Sequence, residues 1–241
     1  KVAALENDAL GLKRGADRLS LKLKDCDTEL TSLKNSENDK VRKLASLDDQ
    51  LKKTQSDLAN AQAQRKDIAS GIKLNLKQAG IDAELNPESG MLTLAMDEAF
   101  QFKYGSYELS ELAKTKLRKI IPIYADNLFG RMSGGKVAAV TVTGHASPTY
   151  RKRFVIPEKA DKKAIKLNQE LSQRRAQQIV DFMFGEEIGR YAFKNELKVV
   201  AASAGKGFME PIRRQSKKKI KEACGQFDCE KSRRVEISFK L

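Results

Sequence analysis

The sequence predicts an α/β domain, a sheet with helices packed on it, preceded by a long α-helical coiled coil. Three observations predict it. Residues 1–79 contain no proline and only Gly11, Gly15 and Gly71, whereas all five prolines lie at Pro87 or beyond. The same first segment carries one unbroken heptad repeat. After residue 80, short apolar runs of strand type alternate with segments of helical spacing. At 241 residues the chain has room for one or two domains at roughly 100–200 residues each.

With Val2 at heptad position a, the a series reads Val2, Ala9, Ala16, Leu23, Leu30, Glu37, Leu44, Leu51, Leu58, Arg65 and Ile72. The d series reads Leu5, Leu12, Leu19, Cys26, Leu33, Lys40, Leu47, Thr54, Ala61 and Ile68. All but Glu37, Lys40, Thr54 and Arg65 are apolar, with no phase break. Such a seam is covered only by another helix, so residues 1–79 are expected to be a homodimeric stalk. As one helix it spans about 120 Å at 1.5 Å per residue. A helical hairpin turning at Asn35-Ser36-Glu37-Asn38-Asp39 is the alternative. A hairpin, however, has no reason to keep the heptad phase through its turn. Cys26, at a d position, reads either as an interchain disulfide across a parallel seam or as a small apolar seam residue.

The second domain is expected over 80–241. Gly80-Ile81-Asp82 ends the helix, and Asn86-Pro87-Glu88-Ser89-Gly90 is a turn. Met91–Met96 reads as a strand. Leu109–Phe129 reads as a helix with a kink at Pro122. Gly134-Gly135 is a turn before a buried-type strand, Lys136–Thr143. Residues 147–166 read as a long polar, basic loop. Asn168–Phe184 reads as an amphipathic helix and Leu197–Ala202 as a third strand. Residues 205–231 form a second basic loop, and Arg233–Leu241 is a final alternating strand.

Charge and composition narrow the function. Lys+Arg number 46 against 32 Asp+Glu, a formal charge of +14, so an anionic partner is expected. The basic run Arg213–Lys221 has no interleaved aromatics, which argues against nucleic acid. No apolar stretch reaches about 18 residues, the length a membrane-spanning helix needs. The chain begins at Lys1 rather than Met, so a processed or shortened form is expected, with an anchor upstream. One His and three scattered Cys argue against a zinc site. With no second His and no positioned nucleophile, no catalytic set, enzyme activity or cofactor is expected.

Four segments of the second domain have a recognisable pattern. Ala99-Phe100-Gln101-Phe102 is followed by Gly105-Ser106 and Leu109. Val140–Thr143 leads into Gly144-His145-Ala146-Ser147. Asn168-Gln169-Glu170-Leu171-Ser172-Gln173-Arg174-Arg175-Ala176 follows. Last come Gly205-Lys206-Gly207 with Pro211, and Arg233-Arg234-Val235-Glu236-Ile237. Together, over about residues 90–241, they resemble the peptidoglycan-binding domain of the OmpA/MotB/Pal family. The resemblance implies an OmpA-like βαβαβ sandwich of helices on a mixed sheet. It implies noncovalent binding of the peptide stem of the bacterial cell wall at His145, Ala146, Ser147, Asn168, Leu171, Arg174 and Arg175.

In that pattern the Arg of the R-A pair, here Arg175, holds the carboxylate of a diaminopimelate residue. An Asp after the G-H pair holds its ammonium. This chain departs from the pattern there, because Ser147 stands in the Asp position and brings no charge. Asn168 is retained, as a residue that orients the site. His145 reads either as part of the site or as a structural residue bonding loop backbone. Some members carry a Cys pair before the last strand, which implies a Cys224–Cys229 disulfide and fits a periplasmic location.

The long insertion between Ser147 and Asn168 is closer to the MotB-like motor-stator branch. Expected partners are therefore peptidoglycan, a second copy through residues 1–79, and an inner-membrane ion-channel subunit of a motor. A passive outer-membrane or lipoprotein tether, or a scaffold that has lost wall binding, are the alternatives.

Overall fold

A computed structural model describes residues 2–81, 83–94, 102–130, 137–214 and 224–241. The chain divides into two compact units, Lys1–Ala59 and Asn60–Leu241. Helix α1, Val2–Gln78, runs through both. It is unbroken at Asn35–Asp39, so no helical hairpin forms there.

In the first unit the heptad seam is exposed along the single chain. Leu12 is 76% exposed and Leu44 66%, and Cys26 is a free, exposed thiol. In the second unit the continuation of the same stripe is covered: Ile68, Ala69, Ile72 and Leu76 are buried in the hydrophobic core. The last turns of α1 therefore fold with the α/β unit. The division by packing falls about twenty residues before the change in composition at 79–80. Gly80, at φ +74°, ends the helix. Its N–H bonds to the Lys77 carbonyl and that of Ile81 to the Leu76 carbonyl, the paired bonds of a left-handed helix stop.

The second unit holds a five-stranded mixed sheet in the order β1-β2-β7-β3-β6. β1 (Glu84–Asn86) and β2 (Met91–Thr93) form a hairpin, closed where the Asn86 side chain accepts the N–H groups of Glu88 and Ser89. β2 pairs antiparallel with β7 (Val235–Lys240), and β7 antiparallel with β3 (Ala139–Gly144). β3 runs parallel to β6 (Ala201–Gly205). Val140 and Val142 of β3 and Val235, Ile237 and Phe239 of β7 are buried. α2 (Glu111–Phe129) continues through Pro122 and buries Leu117, Ile120, Ile121, Tyr124 and Leu128. α3 (Lys162–Phe184) buries Ala176, Ile179 and Met183. The Tyr124 and Phe239 rings meet edge to face at 6.5 Å between centroids. The α/β class, the mixed sheet and the long N-terminal helix agree with the sequence reading.

Several elements differ from it. The expected strand Leu197–Ala202 is a short helix, α4 (Lys194–Val200), followed by β6. Its valines misled the reading: Val199 is 86% exposed, and only Leu197 of α4 is buried. The region 147–166 is structured too. β4 (Thr149–Tyr150) and β5 (Arg153–Phe154) form a hairpin with Arg151 and Lys152 at φ 49° and 64°. That is the two-residue turn whose twist matches a hairpin. A 3-10 turn at Pro157–Lys159 follows. α3 then begins six residues before the expected Asn168, because the Asp161 side chain caps it by accepting the Ala164 N–H at 2.6 Å. Strand β1 was not foreseen. α5 (Cys229–Ser232) interrupts the second basic loop. Ala95, Met96, Phe100, Gly134 and Gly135, and residues 215–221 of the basic run, lie outside the described residues.

Candidate functional site

The parallel strands β3 and β6 end side by side, with Gly144 opposite Gly205. Both are glycines because α3 crosses them at van der Waals range. A Cβ on Gly144 would run into the Ser172 carbonyl oxygen, and one on Gly205 would lie 2.7 Å from the Ser172 hydroxyl. That hydroxyl, wholly buried, accepts the Gly207 N–H at 2.8 Å and donates to the Gln169 carbonyl at 2.9 Å. Ser172 thus fixes the height of α3 over the strand ends, and Arg175 follows one turn later on the same face.

Arg175 is 1% exposed. Its Nε donates to the Ser106 carbonyl at 3.0 Å, Nη1 to that of His145 at 3.3 Å, and Nη2 to that of Lys103 at 3.4 Å. The Phe102 ring lies 4.9 Å beneath the guanidinium. Three of the five N–H donors are so engaged, and among the described residues no carboxylate pairs with this cation. Burial, and then the positive charge of Arg233, lower its pKa to about 10. A buried cation held only by carbonyl dipoles is costly without a counter-charge.

Arg175 lines a cleft of about 60 Å³, together with Tyr104, Gly105, Ala146, Ser147, Thr149, Leu167, Asn168, Leu171 and Arg233. Thr149 is the contribution of the β4–β5 hairpin. Ser147 turns the chain into it: the Thr149 N–H bonds to the Ser147 carbonyl at 2.7 Å, and the two hydroxyls are 3.0 Å apart. The buried Asn168 amide reaches from α3 to the Thr149 carbonyl at 3.1 Å and back to that of Ala164 at 3.0 Å. It therefore clamps the hairpin to the helix. Tyr104 is also in the lining, and its hydroxyl accepts the Lys152 N–H at 2.6 Å, which ties the 102–106 loop to the hairpin turn.

His145 offers the cleft only its backbone. Its ring is fully buried and turns the other way, with Nε2 3.0 Å from Glu236, whose other oxygen accepts from Arg234 Nε at 2.6 Å. Burial alone would raise the Glu236 carboxyl, but the bond and charge of His145, with Arg234 beside them, bring it down to about 2. This carboxylate braces strand β7 behind the site and does not line the cleft.

Of the seven residues expected at the site, Ala146, Ser147, Asn168, Leu171 and Arg175 meet around one cleft. His145 stands behind it. Arg174 points elsewhere, its guanidinium 5.3 Å over the ring of Tyr107. Reading by motif missed Tyr104, Gly105, Thr149, Leu167 and Arg233. Arg233 was legible, since it opens the R-R-V-E-I segment. Thr149 was not, because nothing in the sequence marks a hairpin between Ser147 and α3. Cys224 and Cys229 are joined by a disulfide, with Cα atoms 5.7 Å apart. It sits by Phe227, whose ring lies 6.4 Å from that of Phe154 on β5. Among the described residues no cluster of His, Cys, Asp and Glu is arranged to hold a metal. No helix among them is long and apolar enough to cross a membrane.

No family model matches the chain, and no curated protein matches it. Similar solved structures are periplasmic domains of MotB, MotB-like proteins and OmpA-like domains. A MotB-like protein from Desulfovibrio vulgaris is 14% identical, covering 75% of this chain and 92% of its own, at a TM-score of 0.46. The periplasmic domain of Helicobacter pylori MotB is 16% identical, covering 66% and 80%, at 0.41. The cell wall anchor of the T6SS from Pseudomonas aeruginosa is 23% identical, covering 73% and 99%, also at 0.41.

Proposed function

We propose that the chain binds cell-wall peptidoglycan noncovalently, with a carboxylate of the peptide stem seated on Arg175. One observation carries this reading. Arg175 is a buried guanidinium in a cleft, with two N–H donors left after its carbonyl bonds among the described residues. A planar carboxylate takes two such donors and supplies the missing counter-charge. Ala146, Ser147, Asn168 and Leu171 line the cleft around it. Arg174, turned to Tyr107, contributes only its charge. The order of the four motif segments supports the same reading.

The finer reading is a dimeric envelope anchor of the motor-stator kind. Residues 1–79 pair with a second copy, the binding domain faces the periplasm, and a segment outside this sequence ties the protein to the inner membrane beside an ion-channel subunit. The exposed leucine stripe of α1 supports the pairing, and the insertion carrying β4 and β5 supports the stator branch. The chain acts as an anchor, not as an enzyme.

The test is retention by isolated sacculi. Arg175→Ala is expected to weaken retention about tenfold or more, the worth of a charged hydrogen-bond pair. Arg175→Lys should rescue only in part, because an ammonium lacks the fork. Circular dichroism of each variant reports whether the fold survives. If folded Arg175→Ala is retained as well as the parent chain, while about 0.5 M salt, with a Debye length near 4 Å, abolishes retention of both, the binding is diffuse electrostatics and the reading fails.

A further inference from the structure

We propose that the Arg175 cleft selects stem carboxylates whose neighbouring amine is acylated, as at a cross-link, over those bearing a free ammonium, and that Ser147 is the specificity-determining residue. The inference rests on the peptidoglycan reading above and adds which form of the stem is taken.

The argument starts from the charges of the lining. Along its described residues the cleft has the guanidinium of Arg175 and the side chains of Ser147, Thr149 and Asn168, but no carboxylate. Arg233 lines it as well, and its charge is felt at Arg175. Glu236, three residues after Arg233, does not line the cleft and is held by His145 at 3.0 Å and Arg234 at 2.6 Å, and Glu170, between Asn168 and Leu171, is exposed and outside the lining. An ammonium entering beside the bound carboxylate would find hydroxyls there but, among the described lining residues, no carboxylate to pair with. A charge taken out of water without such a partner opposes binding.

An amide fits instead. Ser147 is 4% exposed, and its hydroxyl is 3.0 Å from that of Thr149. Each hydroxyl can donate one hydrogen bond and accept others. The pair can therefore meet both the N–H and the C=O of an amide, which an acylated amine presents and an ammonium does not. The pair is also fixed in place, since Asn168 clamps the Thr149 backbone to α3. A site built this way discriminates by leaving the wrong ligand's polar groups unmatched.

The experiment uses the full chain and two probes. Both are the stem tripeptide ending in diaminopimelate, one with its side-chain amine free and one with that amine acetylated. Calorimetric titration should give tighter binding of the acetylated probe by about tenfold. Ser147→Asp should reverse the order, because a carboxylate restores a partner for the ammonium. Ser147→Ala, a milder change, should weaken the acetylated probe several-fold and so narrow its lead over the free-amine probe. Thermal melts establish that both variants fold. If the parent chain binds the free-amine probe as tightly or more tightly while sacculus retention still depends on Arg175, the selectivity is overturned and the wall-binding reading stands. If neither probe binds and sacculi do not retain the chain, both fall together.

Discussion

The hydroxyl of Ser172 accepts the backbone N–H of Gly207 at 2.8 Å, so that helix α3 is bonded directly to the loop leaving β6. A serine on the buried face of a helix would ordinarily be a weak choice, since it competes for backbone bonds. Here it is the contact that sets how closely α3 lies on the sheet, and so where Arg175 is held. The left-handed Gly207, at φ +58°, lets the loop turn its N–H toward that hydroxyl.

Gly205→Ala should destabilise the second unit by about 1–3 kcal/mol or more, as overpacking of a tight core does. The added Cβ would lie 2.5 Å from the Gln173 nitrogen and 2.7 Å from the Ser172 hydroxyl, and backbone cannot swing aside. Denaturant unfolding followed by circular dichroism checks it. Gly189→Ala serves as the comparison for a glycine with open space around it: at φ +82° it is strained but meets no neighbour.

Acid should destabilise the domain through Glu236. Its folded pKa, about 2, lies below that of an exposed glutamate, which is about 4.3. A depressed carboxylate contributes stability that is fully present above the unfolded value and is lost as pH falls through the folded one. The window is therefore about pH 4 down to 2, and the loss is of order 3 kcal/mol at most. Glu236→Gln should flatten that limb of a stability-against-pH curve. An unchanged acid limb would remove Glu236 from the account.

Light scattering should give the intact chain a mass near twice 26.9 kDa. Replacing Leu44 and Leu51, exposed at 66% and 55% in the single chain, with Asn should shift it toward the monomer without unfolding residues 83–241. Persistence of the monomer at micromolar concentration with the stalk intact would contradict the paired stalk. On non-reducing gels, a covalent dimer abolished by Cys26→Ser would place the two Cys26 thiols opposite each other across the seam.

Reduction of the Cys224–Cys229 bond should cost the domain about 2 kcal/mol, the loop-entropy value for so short a ring. The bond closes a separation of five residues. A lowered Tm in reductant, absent in a Cys224→Ser/Cys229→Ser double variant, is the expected result. Alkylation of both thiols in the native, unreduced chain would contradict the bond.

The sequence by itself determined the elements whose cause is local or periodic. The heptad stripe from Val2 to Ile72 specifies a helix whatever covers it, because spacing alone aligns those side chains. The apolar alternation of Val235, Ile237 and Phe239 likewise specifies β7. The motif positions Ser147, Asn168, Leu171 and Arg175 were legible as a set, and the fold brings them to one cleft.

Only the tertiary structure decided which partner each surface has. Nothing local distinguishes Ile72 from Leu58, yet the first is buried in the α/β core and the second is 59% exposed. Val199 and Val200 have strand propensity, but Leu197 beneath them is buried in the core and the segment coils into α4. His145, beside the cleft in sequence, turns its ring to Glu236 because a buried imidazole takes the nearest carboxylate. Arg175 and Arg174 are adjacent in sequence and of one residue type. One is sealed among carbonyls and the other lies over Tyr107, since neighbouring residues on a helix point about 100° apart and only one direction faces the strand ends.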